Sequence, residues 1–212
     1  MPALTIDDTT DALLVIDVQN DFCPKGALAV PKGDEVVPVV NRLIPRFAHV
    51  LLTQDWHPPG HRSFASAHAG KRPFETTELS YGTQVLWPDH CVQGTEGADF
   101  RRDLQYGKAE LIIRKGFRLE IDSYSAFFEN DRRTPTGLSG YLRTRGFKRL
   151  FMAGLATDFC VNYSAVDGAA LGFEVVVLED GCRAIDLVGS LAAAKDAMTK
   201  AGVTLATSGA VL

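Results

Sequence analysis

Cys160 stands in the run GLATDFC, where an apolar stretch gives way to a helical pattern. A cysteine attacks as its thiolate, and an ordinary thiol pKa of about 8.5 leaves little thiolate at neutral pH. The free N–H groups at a helix start favour the anion. Lys115, just past another apolar stretch, would add a full positive charge, and Asp17, which closes LLVID, would take the thiol proton. Together the three read as a nucleophilic set. A buried, inert thiol is the bland reading of any cysteine, and Cys23, Cys91 and Cys182 are read that way. Asp21, four residues after Asp17, reads as a helix cap.

A second group suits a metal. Asp55 and His57 are two apart, so they project from one face of an extended segment. His90 lies in the turn-rich run WPDHC. One carboxylate and two imidazoles suit Zn²⁺, Fe²⁺ or Mn²⁺ with coordination positions left open. His61 and Ser63 are candidates for a further ligand, while His49 and His68 have no such context. Phe22, Trp87, Tyr124 and Phe159 flank these groups. Core packing is the ordinary role of an aromatic, but Phe22 and Trp87, in turn-rich stretches, suit stacking on a flat ligand.

These residues need elements to bring them together. Short apolar runs at 12–18, 50–53, 111–114, 149–153, 175–178 and 203–206 read as strands, most of them continuous rather than alternating. Continuous runs mark strands covered on both faces, hence a parallel sheet. Helical patterns at 34–47, 136–145, 158–171 and 190–201 separate several of them. The expected fold is a single α/β domain over 1–212: a three-layer, open, mainly parallel six-stranded sheet with helices on both faces. Ligands of such sheets bind beyond the carboxyl ends of the strands, where Asp17, Asp55, His57, Lys115 and Cys160 all fall. The connection at about 54–108 breaks the rhythm. It holds both tryptophans and four of the five histidines, so it reads as an ordered, functional loop rather than a linker.

Composition narrows the partners. Twenty-two basic against 26 acidic residues give a net charge of −4, with no basic footprint for nucleic acid. No apolar run approaches the roughly 20 residues of a spanning helix, and the N-terminus lacks a signal pattern. The expectation is a cytoplasmic protein with free thiols, bound to neither membrane nor nucleic acid.

The stretches LLVIDVQNDFCPKGALAV, TQDWHPPGHRSFAS, WPDHCVQGTEGADF, RKGFRLEIDSYSAFF and GLATDFCVNYSAVDGAALGFEVVVLEDGCRAID resemble the bacterial nicotinamidases, also called pyrazinamidases, of the isochorismatase-like hydrolase superfamily. The resemblance runs over nearly the whole chain, with the motifs in the family's order. It implies conversion of nicotinamide to nicotinate and ammonia in NAD salvage, and of pyrazinamide to pyrazinoate, through a thioester on Cys160. It implies Asp17 as base, Lys115 as the charge beside it, and one divalent metal on Asp55, His57 and His90, Zn²⁺ ahead of Fe²⁺ or Mn²⁺. It implies a cis peptide between Leu155 and Ala156, with the N–H groups of Ala156 and Cys160 as oxyanion hole. Phe22, Leu28, Trp87 and Tyr124 are the expected substrate-binding residues. A monomer or homodimer is expected. Two other classes compete: a cysteine amidase for a different small amide, and a non-enzymatic metal- or nucleotide-binding domain. The second is weakened because no G-x-G-x-x-G follows the first strand.

Overall fold

Strand β1 (Asp11–Ile16) is buried at all six positions. Its side chains alternate: Leu13 and Val15 enter one apolar cluster, Ala12, Leu14 and Ile16 the other. A strand covered on both faces has no room for a polar face, which is why the run is continuously apolar. The computed structural model describes residues 3–212. β1 pairs in parallel with β2 (Val50–Asp55) on one side and β6 (Arg149–Leu155) on the other. β5 (Leu111–Lys115), β7 (Glu174–Arg183) and β8 (Thr204–Ala206) complete a parallel sheet of order β5-β2-β1-β6-β7-β8. The chain builds outward from β1 on one side, then crosses back to build on the other. The order therefore reverses between β1 and β6, and a crevice opens beyond their carboxyl ends.

Four α-helices cover the sheet. α1 (Val36–Leu43) packs Val36, Val40 and Leu43 onto the first cluster. α2 (Leu138–Arg145), α3 (Asn162–Ala170) and α4 (Ser190–Lys200) supply Leu138, Leu142, Ala165 and Met198 to the second. The three-layer α/β expectation holds, with shifted boundaries. The helix expected over 34–47 is shorter, because tight turns at Gly33–Glu35 and Ile44–Arg46 flank it and Pro45 lacks a donor. The helix expected over 158–171 begins as a π-helical turn, Thr157–Val161, before α3.

The first strand stops at Ile16 rather than 18. Asp17 has a φ of 48°, in the left-handed region, so the chain turns there. Asp21 is not a helix cap. Its carboxylate accepts the N–H of Ala27 at 3.0 Å and of Cys91 at 2.7 Å, joining two loops. The 54–108 connection holds an unforeseen antiparallel hairpin, β3 (Thr76–Leu79) and β4 (Gly82–Val85). No helix among the described residues is long and apolar enough to cross a membrane.

Candidate active site and metal centre

Lys115 ends β5 and is fully buried. An ammonium has three hydrogens. Those of Lys115 reach Asp55 Oδ1 at 2.9 Å, Ser123 O at 3.0 Å and Cys160 Sγ at 3.4 Å. Asp17 Oδ2 lies 2.8 Å from the same nitrogen, the shortest of these contacts, and pairs with the ammonium. The other oxygen, Oδ1, takes the hydroxyl of Thr53 at 2.6 Å. Asp17 and the Cys160 thiol thus meet on one ammonium, which places the carboxylate to take the thiol proton.

Burial pushes the Asp17 carboxyl up, against the pull of Lys115. Burial also works against the Lys115 charge, but Asp17, Asp55 and Cys160 around it hold its pKa well above the ordinary value. The Cys160 thiol differs from the sequence expectation. Burial raises it well above its usual range, and Lys115 opposes this without winning. A helix start and one lysine favour a thiolate in water. In a dry site flanked by Asp17 and Asp55, the proton stays on sulfur until a base removes it.

The cysteine sits in the π-helical turn directly after β6, preceded by the cis peptide Leu155–Ala156. β6 approaches β1 closely at Gly154, whose φ is 135° and where an added Cβ would lie 2.0 Å from Ile16 O. Only glycine allows that approach.

The histidines converge on Asp55. His57 Nε2 lies 3.0 Å and His90 Nε2 3.4 Å from Asp55 Oδ2. Their Nδ1 atoms are committed, donating to Gly116 O at 2.9 Å and Pro88 O at 2.8 Å. Outer partners of this kind orient imidazole ligands and leave Nε2 for a metal. Gln19 holds Asp55 in place, taking its N–H and donating to its carbonyl, both at 2.8 Å. The His57 pKa is raised: burial opposes the charge, but Asp55 outweighs it. Two buried imidazole nitrogens gathered on a buried carboxylate fit a divalent ion. Asp55, His57 and His90 all lie within reach of one ion.

His61 and Ser63 lie close by, both fully buried. His61 Nε2 donates to Arg118 O at 2.8 Å, and Nδ1 accepts the Ser63 hydroxyl at 2.7 Å. His61, His57 and Asp122 form a second group of potential ligands. Asp122 was missed from the sequence: nothing in RLEIDSYS sets it apart, yet it is buried 3.9 Å from His57 Nε2.

One pocket, with about 330 Å³ of empty space including its open mouth, joins these features. Phe22, Leu28, Trp87 and Tyr124, all expected from the sequence, line it with Asp55, His90, Ala156, Phe159 and Cys160. Asp122 and Ile185 line it too, and no signal pointed to Ile185. The walls are mostly apolar and aromatic. Trp87 and Phe159 meet edge to face with ring centres 4.9 Å apart, and Tyr124 lies 5.6 Å from Phe159. The space suits one small flat ring, with the Cys160 thiol and the candidate metal ligands Asp55 and His90 in its walls.

The parallel sheet and its pocket belong to a known class of domain: an isochorismatase domain matches residues 11–210, and the chain belongs to that family. It is similar to the nicotinamidase of Acinetobacter baylyi, with 53% identity over 192 residues, 91% of this chain and 90% of the relative. Among solved structures it resembles the Acinetobacter baumanii nicotinamidase and pyrazinamidase, with a TM-score of 0.94 and 53% identity over 95% of this chain and 97% of that one. It also resembles the pyrazinamidase of Pyrococcus horikoshii in complex with zinc, with a TM-score of 0.75 and 35% identity over 93% of this chain and 98% of that one.

Proposed function

We propose that the protein is a nicotinamidase, hydrolysing nicotinamide to nicotinate and ammonia, and pyrazinamide to pyrazinoate. The observation that carries this reading is the buried cluster of Asp17, Lys115 and the Cys160 thiol against an aromatic pocket.

Asp17 takes the thiol proton as sulfur attacks the amide carbon. The C–S bond forms, and the carbonyl oxygen gains charge against the N–H groups of Ala156 and Cys160, a role worth about 3 kcal/mol per donor. Asp17 then gives its proton to the leaving nitrogen, the C–N bond breaks and ammonia departs. Water attacks the thioester with Asp17 again as base, the C–S bond breaks, the proton passes from Asp17 to the Cys160 sulfur and the acid leaves. Lys115 balances two carboxylates and the developing thiolate throughout. Phe22, Leu28, Trp87 and Tyr124 hold the ring. Asp55, His57 and His90 would hold a divalent ion, zinc first among the candidates, which when bound supplies a coordination position for the ring nitrogen. Ser63 or His61 would complete its environment.

The same reading takes 1–212 as one hydrolase domain whose 54–108 connection carries the metal ligands. It places the reaction in NAD salvage in the cytoplasm, with a monomer or homodimer as the working form.

Benzamide tests it. Benzamide has the amide and nearly the shape of nicotinamide, but no ring nitrogen. Sites built around a polar group reject the analogue lacking it by up to about 10⁴-fold. The expected result is ammonia release from nicotinamide and pyrazinamide and almost none from benzamide. Equal rates on benzamide and nicotinamide in the metal-loaded protein would overturn the reading in favour of a broader amidase.

A further inference from the structure

Gln84 is the one fully buried position on either strand of the β3–β4 hairpin, and it points into a polar network. Its amide nitrogen lies 2.8 Å from the Tyr124 hydroxyl, 2.9 Å from Asp122 Oδ2 and 2.7 Å from Val85 O. Its oxygen accepts the Tyr81 hydroxyl at 3.0 Å and the Asn130 amide at 3.2 Å. Two donors on the oxygen and acceptors on the nitrogen leave the amide one orientation. The Tyr124 oxygen takes a second N–H, from Trp87 at 3.1 Å, and Asn130 returns to accept the Tyr124 backbone N–H at 3.0 Å.

Tyr124, Trp87 and Asp122 all line the pocket, whereas Gln84 does not. The Tyr124 ring is otherwise met by aromatic edges, from Phe159, Tyr163 and Trp87 at 5.6, 5.1 and 6.1 Å. Edge contacts tolerate sliding; hydrogen bonds at both the hydroxyl and the backbone do not. From this geometry we infer that Gln84 is a positioning residue for substrate. It clamps Tyr124 and Asp122 from behind, so that the hairpin sets one wall of the ring pocket. The inference rests on the nicotinamidase reading. It gives the hairpin a task, since that element lies outside the main sheet and carries no group that touches the thiol.

The consequence is a separation of kinetic effects. Gln84 makes no hydrogen bond to Asp17, Lys115 or Cys160, so the groups that make and break bonds stay in place without it. Loosening the wall weakens binding of the ring. Losing a buried amide from such a network shifts an equilibrium by about 10-fold or more. Gln84→Leu and Gln84→Glu are therefore expected to raise KM for nicotinamide at least about 10-fold, with kcat falling by a smaller factor. Tyr124→Phe, which removes the same clamp from its other end, is expected to raise KM likewise. Its effect should not add to that of Gln84→Leu, because the two share one interaction.

The experiment measures kcat and KM for nicotinamide in the wild type, the single variants and the double variant, with thermal melting as the check on folding. A role confined to fold stability would lower the active fraction, hence kcat, and leave KM unchanged; that result overturns the inference. Fully additive KM effects in the double variant overturn it too. If Gln84→Leu does not fold, Gln84→Glu and Tyr124→Phe carry the same test. A wild type without activity on nicotinamide would instead sink the nicotinamidase reading, and so the two failures are told apart.

Discussion

Lys115 carries a charge that no water reaches, and this organises the site. Asp17, Asp55, Ser123 and Cys160 all surround its ammonium, Asp17 nearest at 2.8 Å. An isolated buried ammonium is expensive, so the two carboxylates are what keep it charged. Asp17→Asn and Lys115→Ala should each lower turnover more than about 100-fold, and the double variant should lose little more than either single one, since residues acting as a unit are not additive. A double-variant loss equal to the product of the two would mean that they act separately. Cys160→Ala should abolish ammonia release while the melting temperature stays close to that of the wild type, because one sulfur at a pocket wall contributes little packing. Residual turnover above about 1% of wild type would remove Cys160 from the nucleophile's role.

At the scale of elements, the distance between β1 and β6 decides whether base and nucleophile meet. Asp17 follows β1 and Cys160 follows β6, and the two strands pair along Asp11–Ile16. Their approach depends on Gly154, where any side chain would strike Ile16 O and would need a φ of 135°. Gly154→Ala is expected to destabilise the fold by about 3 kcal/mol or more and to remove activity from whatever still folds. Denaturant unfolding measures the first, and ammonia release by the folded fraction measures the second. Wild-type stability in this variant would mean that the strands have slack. The hairpin was legible only in part. The run TTELSYGTQV has turn residues between two short polar strands, but without an apolar face its alternation carries no core signal.

For the whole molecule, the candidate metal ligands tie distant parts of the chain together. Asp55 ends β2, His57 follows it, and His90 comes after the hairpin, held by Pro88 O. An unfolded chain cannot bring them together, so an ion at this site binds the native state alone. At about 100 times its Kd, zinc should add about 2.7 kcal/mol of stability, or about 5–10 °C in Tm for a chain of this size. Thermal melts in chelator and in zinc would show it, and His57→Ala should abolish the shift. A Tm indifferent to zinc, with the wild-type fold intact, would mean that the three residues hold no ion.

What the sequence determined by itself is the part of the protein set by local chemistry. Continuous Val, Ile and Leu runs dictate buried parallel strands, because a strand with two covered faces has no use for polar residues. Asp17, Lys115, Cys160, Asp55 and His57 could be placed at one end of the sheet, since each sits at or near a strand terminus. His90 came from its motif alone. Tertiary structure decided the rest. Asp122 and Ile185 enter the pocket from loops whose sequences carry no periodicity, so nothing short of their final packing reveals them. The Cys160 thiol shows the same division. A helix start and a lysine are local and readable, but the burial that keeps its proton on is a property of everything packed around it. Desolvation is summed over the whole fold, and no short stretch of sequence contains that sum.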